Sequence, residues 1–367
     1  MNLFVVGNGF DRFHELPTDY WRDYRPILES ADADLLRTLD QFFLGGEESW
    51  WSDFETSLSR LLPEGLKPVQ VDVQSKIDDF QSSHADLHYW DGGVERDGGM
   101  AEAVDEELAV AVGGFPSTED VESSFPDPDL IRKFLNEGMR ELVDTANRQV
   151  NGTVKAGTIG DEGDIFVNFN YTRTLEVLYG VDEDRVLHIH GVAGCEVFGG
   201  AERACDETVI SSDFHFSDGP FETRMFYEFD EVTGSGGLIP SNIEELSQVI
   251  AGDDSQRQVV REAYGDSCRS LLSTVRKVPR VPLLREFVME MDVERVVVLG
   301  HSLGEVDRSY FEYLVDRYKN VRWQVSYFPE SDEGARDCMR DKVERLGLGN
   351  YEVISFAQLR SEYVKPA

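Results

Sequence analysis

Leu3-Phe4-Val5-Val6-Gly7-Asn8-Gly9-Phe10-Asp11 decides the fold. Four apolar residues in a row, without a two-residue alternation, read as a strand buried on both faces. The glycines that stop it read as a tight strand-to-helix turn. A strand of this kind belongs in the middle of a parallel sheet. The same pattern recurs three times. Ile165-Phe166-Val167-Asn168-Phe169 runs into Asn170-Tyr171-Thr172, residues 185–189 end at His190-Gly191, and Arg295-Val296-Val297-Val298-Leu299 ends at Gly300-His301-Ser302. Further strands are expected at 322–328 and 351–355. Helical spacing marks 19–30, 34–43, 50–62, 130–150, 173–179, 242–251, 255–275, 283–291, 307–318 and 334–346. Strands alternating with helices predict an α/β fold. Its sheet should be doubly wound, mostly parallel and Rossmann-like, with right-handed crossovers and helical insertions. Ligands of such sheets bind beyond the carboxyl ends of the strands, where these four polar or Gly-rich endings would meet.

The 367 residues fit one large domain with insertions or two domains. The whole chain, 1–367, reads as a single α/β domain, with 20–160 a mostly helical insertion. Within it, 92–128 is acidic, Gly-rich and expected to be flexible. Residues 192–240 show no clear period and read as loops folded over a site. Against 71 Asp and Glu stand 35 Lys and Arg, a net charge of −36. That field repels phosphate backbones and disfavours extended nucleic-acid binding, although adaptation to high salt explains the same number. Cys195, Cys205, Cys268 and Cys338 form no C-x-x-C pair, which suits reduced thiols in a cytoplasmic protein. Neither a signal peptide nor a membrane span of about 18 apolar residues is expected.

Several motifs carry competing interpretations. Gly7-Asn8-Gly9 is the front of a dinucleotide fingerprint, but Arg12 stands where the third glycine would be. It is a phosphate-binding turn or simply a tight turn, and Asp11 is a ribose ligand or a helix cap. Gly300-His301-Ser302-Leu303-Gly304 matches the nucleophile elbow of acyl hydrolases. None of the seven histidines follows Ser302, so a triad in the usual order cannot form, and the turn is better read as lining a nucleotide pocket. His190 is a general base or a satisfied turn histidine. Asn170 is a turn residue or the holder of a water or ribose hydroxyl. No metal site is expected: His188 and His190 are not read as one chelate, and His84 with His88 lacks a third ligand.

Taken together, these segments resemble the bacteriophage abortive infection AbiH family. The likeness rests on Gly7-Asn8-Gly9-Phe10-Asp11 with His14 and Leu16-Pro17-Thr18, on Trp51-Ser52-Asp53-Phe54-Glu55, and on Asn168-Phe169-Asn170-Tyr171-Thr172 with Leu175-Glu176. It continues in His188-Ile189-His190-Gly191, Gly300-His301-Ser302-Leu303-Gly304 with Asp307, and Tyr310-Phe311. A more distant resemblance runs to sirtuin-like NAD-consuming enzymes. Two departures from their pattern are Asn8 between the first glycines and Thr172 after the Asn-turn. The zinc-binding cysteine module of deacetylating sirtuins is absent.

The resemblance implies phage defence by abortive infection, with binding and hydrolysis of NAD or a related nucleotide at the nicotinamide–ribose bond. It makes Asn170 and His190 catalytic. It assigns Gly7, Asn8, Gly9, Phe10, Asp11, His14, Tyr171, Gly191, Gly300, Ser302 and Asp307 to the nucleotide. NAD would be substrate or ligand, with no cofactor required. A homo-oligomer or a phage-derived trigger are the expected partners. A non-catalytic nucleotide sensor and a toxin acting on nucleic acid are the alternatives.

Overall fold

A computed structural model describes residues 1–52, 54–90, 116–192, 255–275, 279–329 and 333–366. The helix expected at 242–251, almost all of the 192–240 loops and most of 92–128 lie outside these residues. The strands are β1 (Asn2–Val6), β2 (Gly157–Ile159), β3 (Ile165–Asn168), β4 (Val186–His188), β5 (Arg295–Leu299), β6 (Arg322–Tyr327), β7 (Tyr351–Ser355) and β8 (Val364–Pro366). Six of them form one sheet in the order β4-β3-β1-β5-β6-β7, and every neighbouring pair in it is parallel. Counted within that sheet, the order is 3-2-1-4-5-6, that of the Rossmann doubly wound fold, with the switch point between β1 and β5. The antiparallel β2–β8 pair is a separate small sheet that the sequence did not signal.

Burial explains the central placement of β1. In register, Val5 lies between Val167 and Val298, and Leu3 to Val6 are fully buried. Leu3, Val5, Val167, Val296 and Val298 pack on one face with Leu284 and Leu314 from the Val281–Val288 and Arg308–Tyr318 helices. Phe4, Val6, Phe166, Val297 and Leu299 face the other way, onto the Thr174–Tyr179 and Phe356–Tyr363 helices. Each such buried side chain contributes about 1.5–3 kcal/mol.

A third core belongs to helices alone. It joins Tyr24, Leu28, Trp51, Phe54, Leu66, Leu135, Met139, Tyr264 and Leu271. The 255–275 helix, found with the expected bounds, completes this layer from far along the chain, so the helical part is not confined to 20–160. Several expected helices are modified. Residues 19–30 become a π-helical turn, Tyr20–Tyr24, followed by Arg25–Ala31. Residues 34–43 become Ala33–Leu39 and a second π turn, Asp40–Leu44. The long Pro63–Trp90 helix was not among the expected elements. Pro63 occupies the first helical position, where a missing N–H costs nothing. The described end of the 92–128 segment is ordered locally. Thr118–Glu122 is a helix closed by a Ser117–Asp120 capping box, and it buries Val121 in the helical core.

Candidate functional site

Two glycine turns meet at the switch point. Gly7 N–H donates to Leu299 O at 3.0 Å and Gly9 N–H to Gly300 O at 2.8 Å. A Cβ on Gly7 would fall 2.6 Å from His301 Cα, and one on Gly9 would fall 2.8 Å from Gly300 O. Gly300 has φ +67, and its Cβ would lie 2.4 Å from Phe10 N. Close approach of the two turns to each other therefore requires these glycines. With Phe10 N–H on Gly7 O, three of the N–H groups expected to cradle a phosphate are engaged inside the protein.

The Asn-turn after β3 is fastened to the first turn. Asn168 Oδ1 accepts Asn170 N–H at 3.0 Å, and the Asn170 side-chain amide donates to Gly7 O at 3.1 Å. Asp11 accepts the hydroxyls of Thr172 at 2.6 Å and Thr174 at 2.8 Å. It makes no hydrogen bond that caps the Asn8–Phe13 helix, and it is 1% exposed. Burial pushes its carboxyl up to about 6, although the bonds from Thr172, Thr174 and Asn170 pull it down. On the other side of the turn, His188 Nε2 lies 2.7 Å from Glu176 Oε1. Burial would raise Glu176, but the bond and charge of His188 hold it below the usual carboxylate range.

Asp307 sits between two imidazoles. Its Oδ1 is 3.4 Å from His190 Nε2, and its Oδ2 is 3.3 Å from His301 Nε2. All three side chains are buried. Burial opposes the charge on Asp307, but the two histidines outweigh it and hold the carboxyl well below its ordinary range. His301 Nδ1 accepts Leu303 N–H at 3.0 Å, so its proton is on Nε2, facing Asp307. Phe169 packs edge-on against both rings, with centroids at 5.4 Å and 4.5 Å. β4 ends at His188, and His190 lies in the turn beyond it, so the two histidines diverge toward Glu176 and Asp307.

These groups open on one cleft of about 410 Å³ between the sheet rim and the helical layer. It brings together Gly7, Asn8, Gly9, Asp11, Asn170, Tyr171, His190, Gly300, Ser302 and Asp307. Three expected ligand contacts are not among its lining residues. Phe10 is fully buried with Phe4 and Val6. His14 bonds Tyr179 OH at 2.9 Å, and burial, helped by Arg360, lowers it to about 4. Gly191 takes φ +83 in the turn after His190. Ser302 is exposed, and its carbonyl accepts Lys342 Nζ at 2.9 Å. The left-handed residues of that turn are Gly300, φ +67, and Leu303, φ +51, not the serine. Both ring nitrogens of His301 are directed elsewhere, so His301 does not activate Ser302 as an elbow nucleophile.

Sequence reasoning missed His301, which it passed over as a spacer in the elbow pattern, and the contribution of the helical layer. From that layer Tyr20, Trp21, Trp51, Phe54 and Glu55 also line the cleft. The Trp51-to-Glu55 block was a signal that these residues matter, but not of where they sit. Among the described residues no helix is long and apolar enough to cross a membrane.

Fold and cleft define an α/β protein of Rossmann strand order, with a histidine–carboxylate–histidine cluster at its switch point. The chain belongs to the bacteriophage abortive infection AbiH family, whose model matches residues 3–327. That span contains every segment of the cleft except Met339 and Phe328. No curated protein and no solved structure matches the chain. Family membership points to a role in abortive-infection defence against bacteriophage.

Proposed function

We propose that the cleft binds NAD or a closely related nucleotide and hydrolyses its nicotinamide–ribose bond, and that this is how the protein acts in phage defence. The supporting observation is the convergence of Asn170 and His190 on one cleft at the switch point, with His190 backed by a buried carboxylate. In this reaction the C1′–N bond breaks and its electron pair goes to the pyridinium nitrogen, so nicotinamide leaves neutral. Water adds to C1′ and gives up a proton. With Nε2 turned to Asp307, Nδ1 is the atom through which His190 would take that proton. Asn170, anchored on Gly7 O, would hold the water or a ribose hydroxyl. Phosphate contacts would come from side chains such as Arg12, which lines the cleft, since the turn's N–H groups already have partners.

The order also parallels sirtuin-like enzymes in its glycine turn, Asn-turn, His-Gly pair and late Gly-x-Ser turn. The test is nicotinamide release from NAD by the purified full chain in high salt. Wild type releases it, while His190→Ala and Asn170→Ala each lose about 10²- to 10⁴-fold in rate and stay folded. If wild type consumes nothing but melts higher with a nucleotide, the cleft is a sensor instead.

A further inference from the structure

The reacting groups of the proposed hydrolysis lie on one side of the switch point. Along the sheet rim the cleft residues follow strand order: His190 after β4, Asn170 after β3, Arg12 in the Asn8–Phe13 helix after β1, Ser302 after β5 and Phe328 after β6. From β4 to β6 is four strand spacings, about 19 Å. A mononucleotide with its ribose at Asn170 and His190 stays on the β3–β4 side. A dinucleotide is long enough to cross to the β5–β6 side, as dinucleotides do in sheets of this strand order.

Phe328 shows what that second side offers. It follows β6 (Arg322–Tyr327) directly and is 59% exposed. Eight large apolar side chains among the described residues are exposed, and Phe328 alone of these lines the cleft. The ring belongs to none of the three cores. Its backbone is nevertheless firmly supported. β6 is an internal strand between β5 and β7, and Ser326 Oγ accepts Gly300 N–H at 2.8 Å. An aromatic face held at the cleft by an internal strand is a stacking platform for a planar ring.

Charge gives the phosphates of such a ligand little hold. Among the described residues Arg12 is the only Lys or Arg lining the cleft, beside Asp19, Glu48 and Glu55. Arg12 lies 3.3 Å from Asp19 Oδ2. Asp19 Oδ1 accepts the N–H groups of Trp21 and Arg22 at 3.1 and 2.9 Å, so Asp19 keeps partners when Arg12 turns to a phosphate. With N–H groups of the glycine turn engaged inside the protein, a single arginine leaves most of the affinity to ring stacking. The reacting end takes the β3–β4 side, so the second base falls to the β5–β6 side, where Phe328 stands.

We propose that the substrate is a dinucleotide, with its reacting ribose at Asn170 and His190, its pyrophosphate crossing the switch point beside Arg12, and its second base stacked on Phe328. This rests on the proposed nicotinamide–ribose cleavage and makes Phe328 the residue that selects a dinucleotide over a mononucleotide.

The test compares Phe328→Ala and Phe328→Trp with wild type, and with Met289→Ala as an exposed apolar residue away from the cleft. Nicotinamide release from NAD and from nicotinamide mononucleotide, the Kd for AMP and the melting temperature are measured for each in high salt. Phe328→Ala is expected to lower kcat/KM for NAD and to weaken AMP binding, each by about 5- to 150-fold. Its kcat/KM for nicotinamide mononucleotide should stay within about twofold of wild type, and its melting temperature within about 2 °C. Phe328→Trp should retain wild-type values, and so should Met289→Ala. Wild-type kcat/KM for NAD in Phe328→Ala overturns the platform and leaves the nicotinamide–ribose cleavage standing. So does an equal loss on NAD and on the mononucleotide, which is an effect on the reacting end, or a wild type that takes both substrates equally well. If wild type releases no nicotinamide, the cleavage falls and AMP binding decides alone. Weaker binding in Phe328→Ala than in Met289→Ala supports the base platform, and equal or absent binding overturns it.

Discussion

Replacing Asp307 by asparagine changes one atom and separates geometry from proton placement. The carboxylate oxygens lie 3.4 Å from His190 Nε2 and 3.3 Å from His301 Nε2. An amide has one acceptor oxygen and one donor nitrogen, so it cannot serve both rings in the same tautomer. His301 cannot yield, because its Nδ1 already accepts Leu303 N–H at 3.0 Å. The amide oxygen therefore goes to His301 and the NH₂ group to His190 Nε2. His190 is then forced to carry its proton on Nδ1, and it can no longer accept one there. A histidine locked in the wrong tautomer by the same Asp-to-Asn change costs serine proteases about 10⁴-fold. A loss of about 10³- to 10⁴-fold, equivalent to about 4–5.5 kcal/mol of activation free energy, is expected for nicotinamide release.

Stability should fall less, by about 1–2 kcal/mol, as charge-assisted bonds become neutral ones. Asp307 has a folded-state pKa below its unfolded one, so its contribution is present above the usual carboxylate range and is lost as pH falls through and below it. The stability gap between wild type and variant should therefore close in acid. Urea denaturation from neutral to acid pH, nitrogen-edited NMR of the imidazoles and the nicotinamide assay together check each step. A variant with rate within tenfold of wild type, or with the His190 proton unmoved, would refute the tautomer argument.

Gly300→Ala, with φ +67 and a Cβ 2.4 Å from Phe10 N, is expected to lose about 3–5 kcal/mol in thermal or urea unfolding, whereas Gly304→Ala, whose nearest contact is 3.5 Å, should be close to neutral. Asp11→Asn removes a carboxyl raised by burial to about 6. The wild-type folded state holds that proton longer than the unfolded state, so this group's contribution falls as pH rises from about 4 to 6. The variant should gain on wild type by up to about 3 kcal/mol across that window, read as the change in their stability difference with pH. An unchanged difference would show that Asp11 is not buried as described.

The parts of this fold that could be read from the sequence are those in which a single local rule suffices. β1 and β5 are continuous apolar runs stopped by glycine, and only the centre of a parallel sheet buries both faces. The 255–275 helix has a clear period and a uniform interior. What could not be read depends on tertiary partners. β2 is three residues long and exists because β8 pairs with it from the other end of the chain. The π turns at 20–24 and 40–44 follow from packing of the helical layer. Within the cleft, Asn170 and His190 were legible because strand ends are where ligands bind. Phe10 and His14 were misplaced because the six-residue helix after β1 turns them under the sheet, toward Phe356 and Tyr179. Asp307 was noticed as a ligand contact, while its role as the shared partner of two imidazoles needed His301 in view.

The interlocked glycine turns tie assembly to synthesis. β1 is made long before β5, one of its two neighbours, and Gly9 waits for Gly300. The helical layer likewise waits for the 255–275 helix. A nascent chain not yet extended through Gly300 and Asp307 thus has neither a closed switch point nor the carboxylate beside His190, so a ribosome-bound or truncated copy carries the first motif without the assembled cleft.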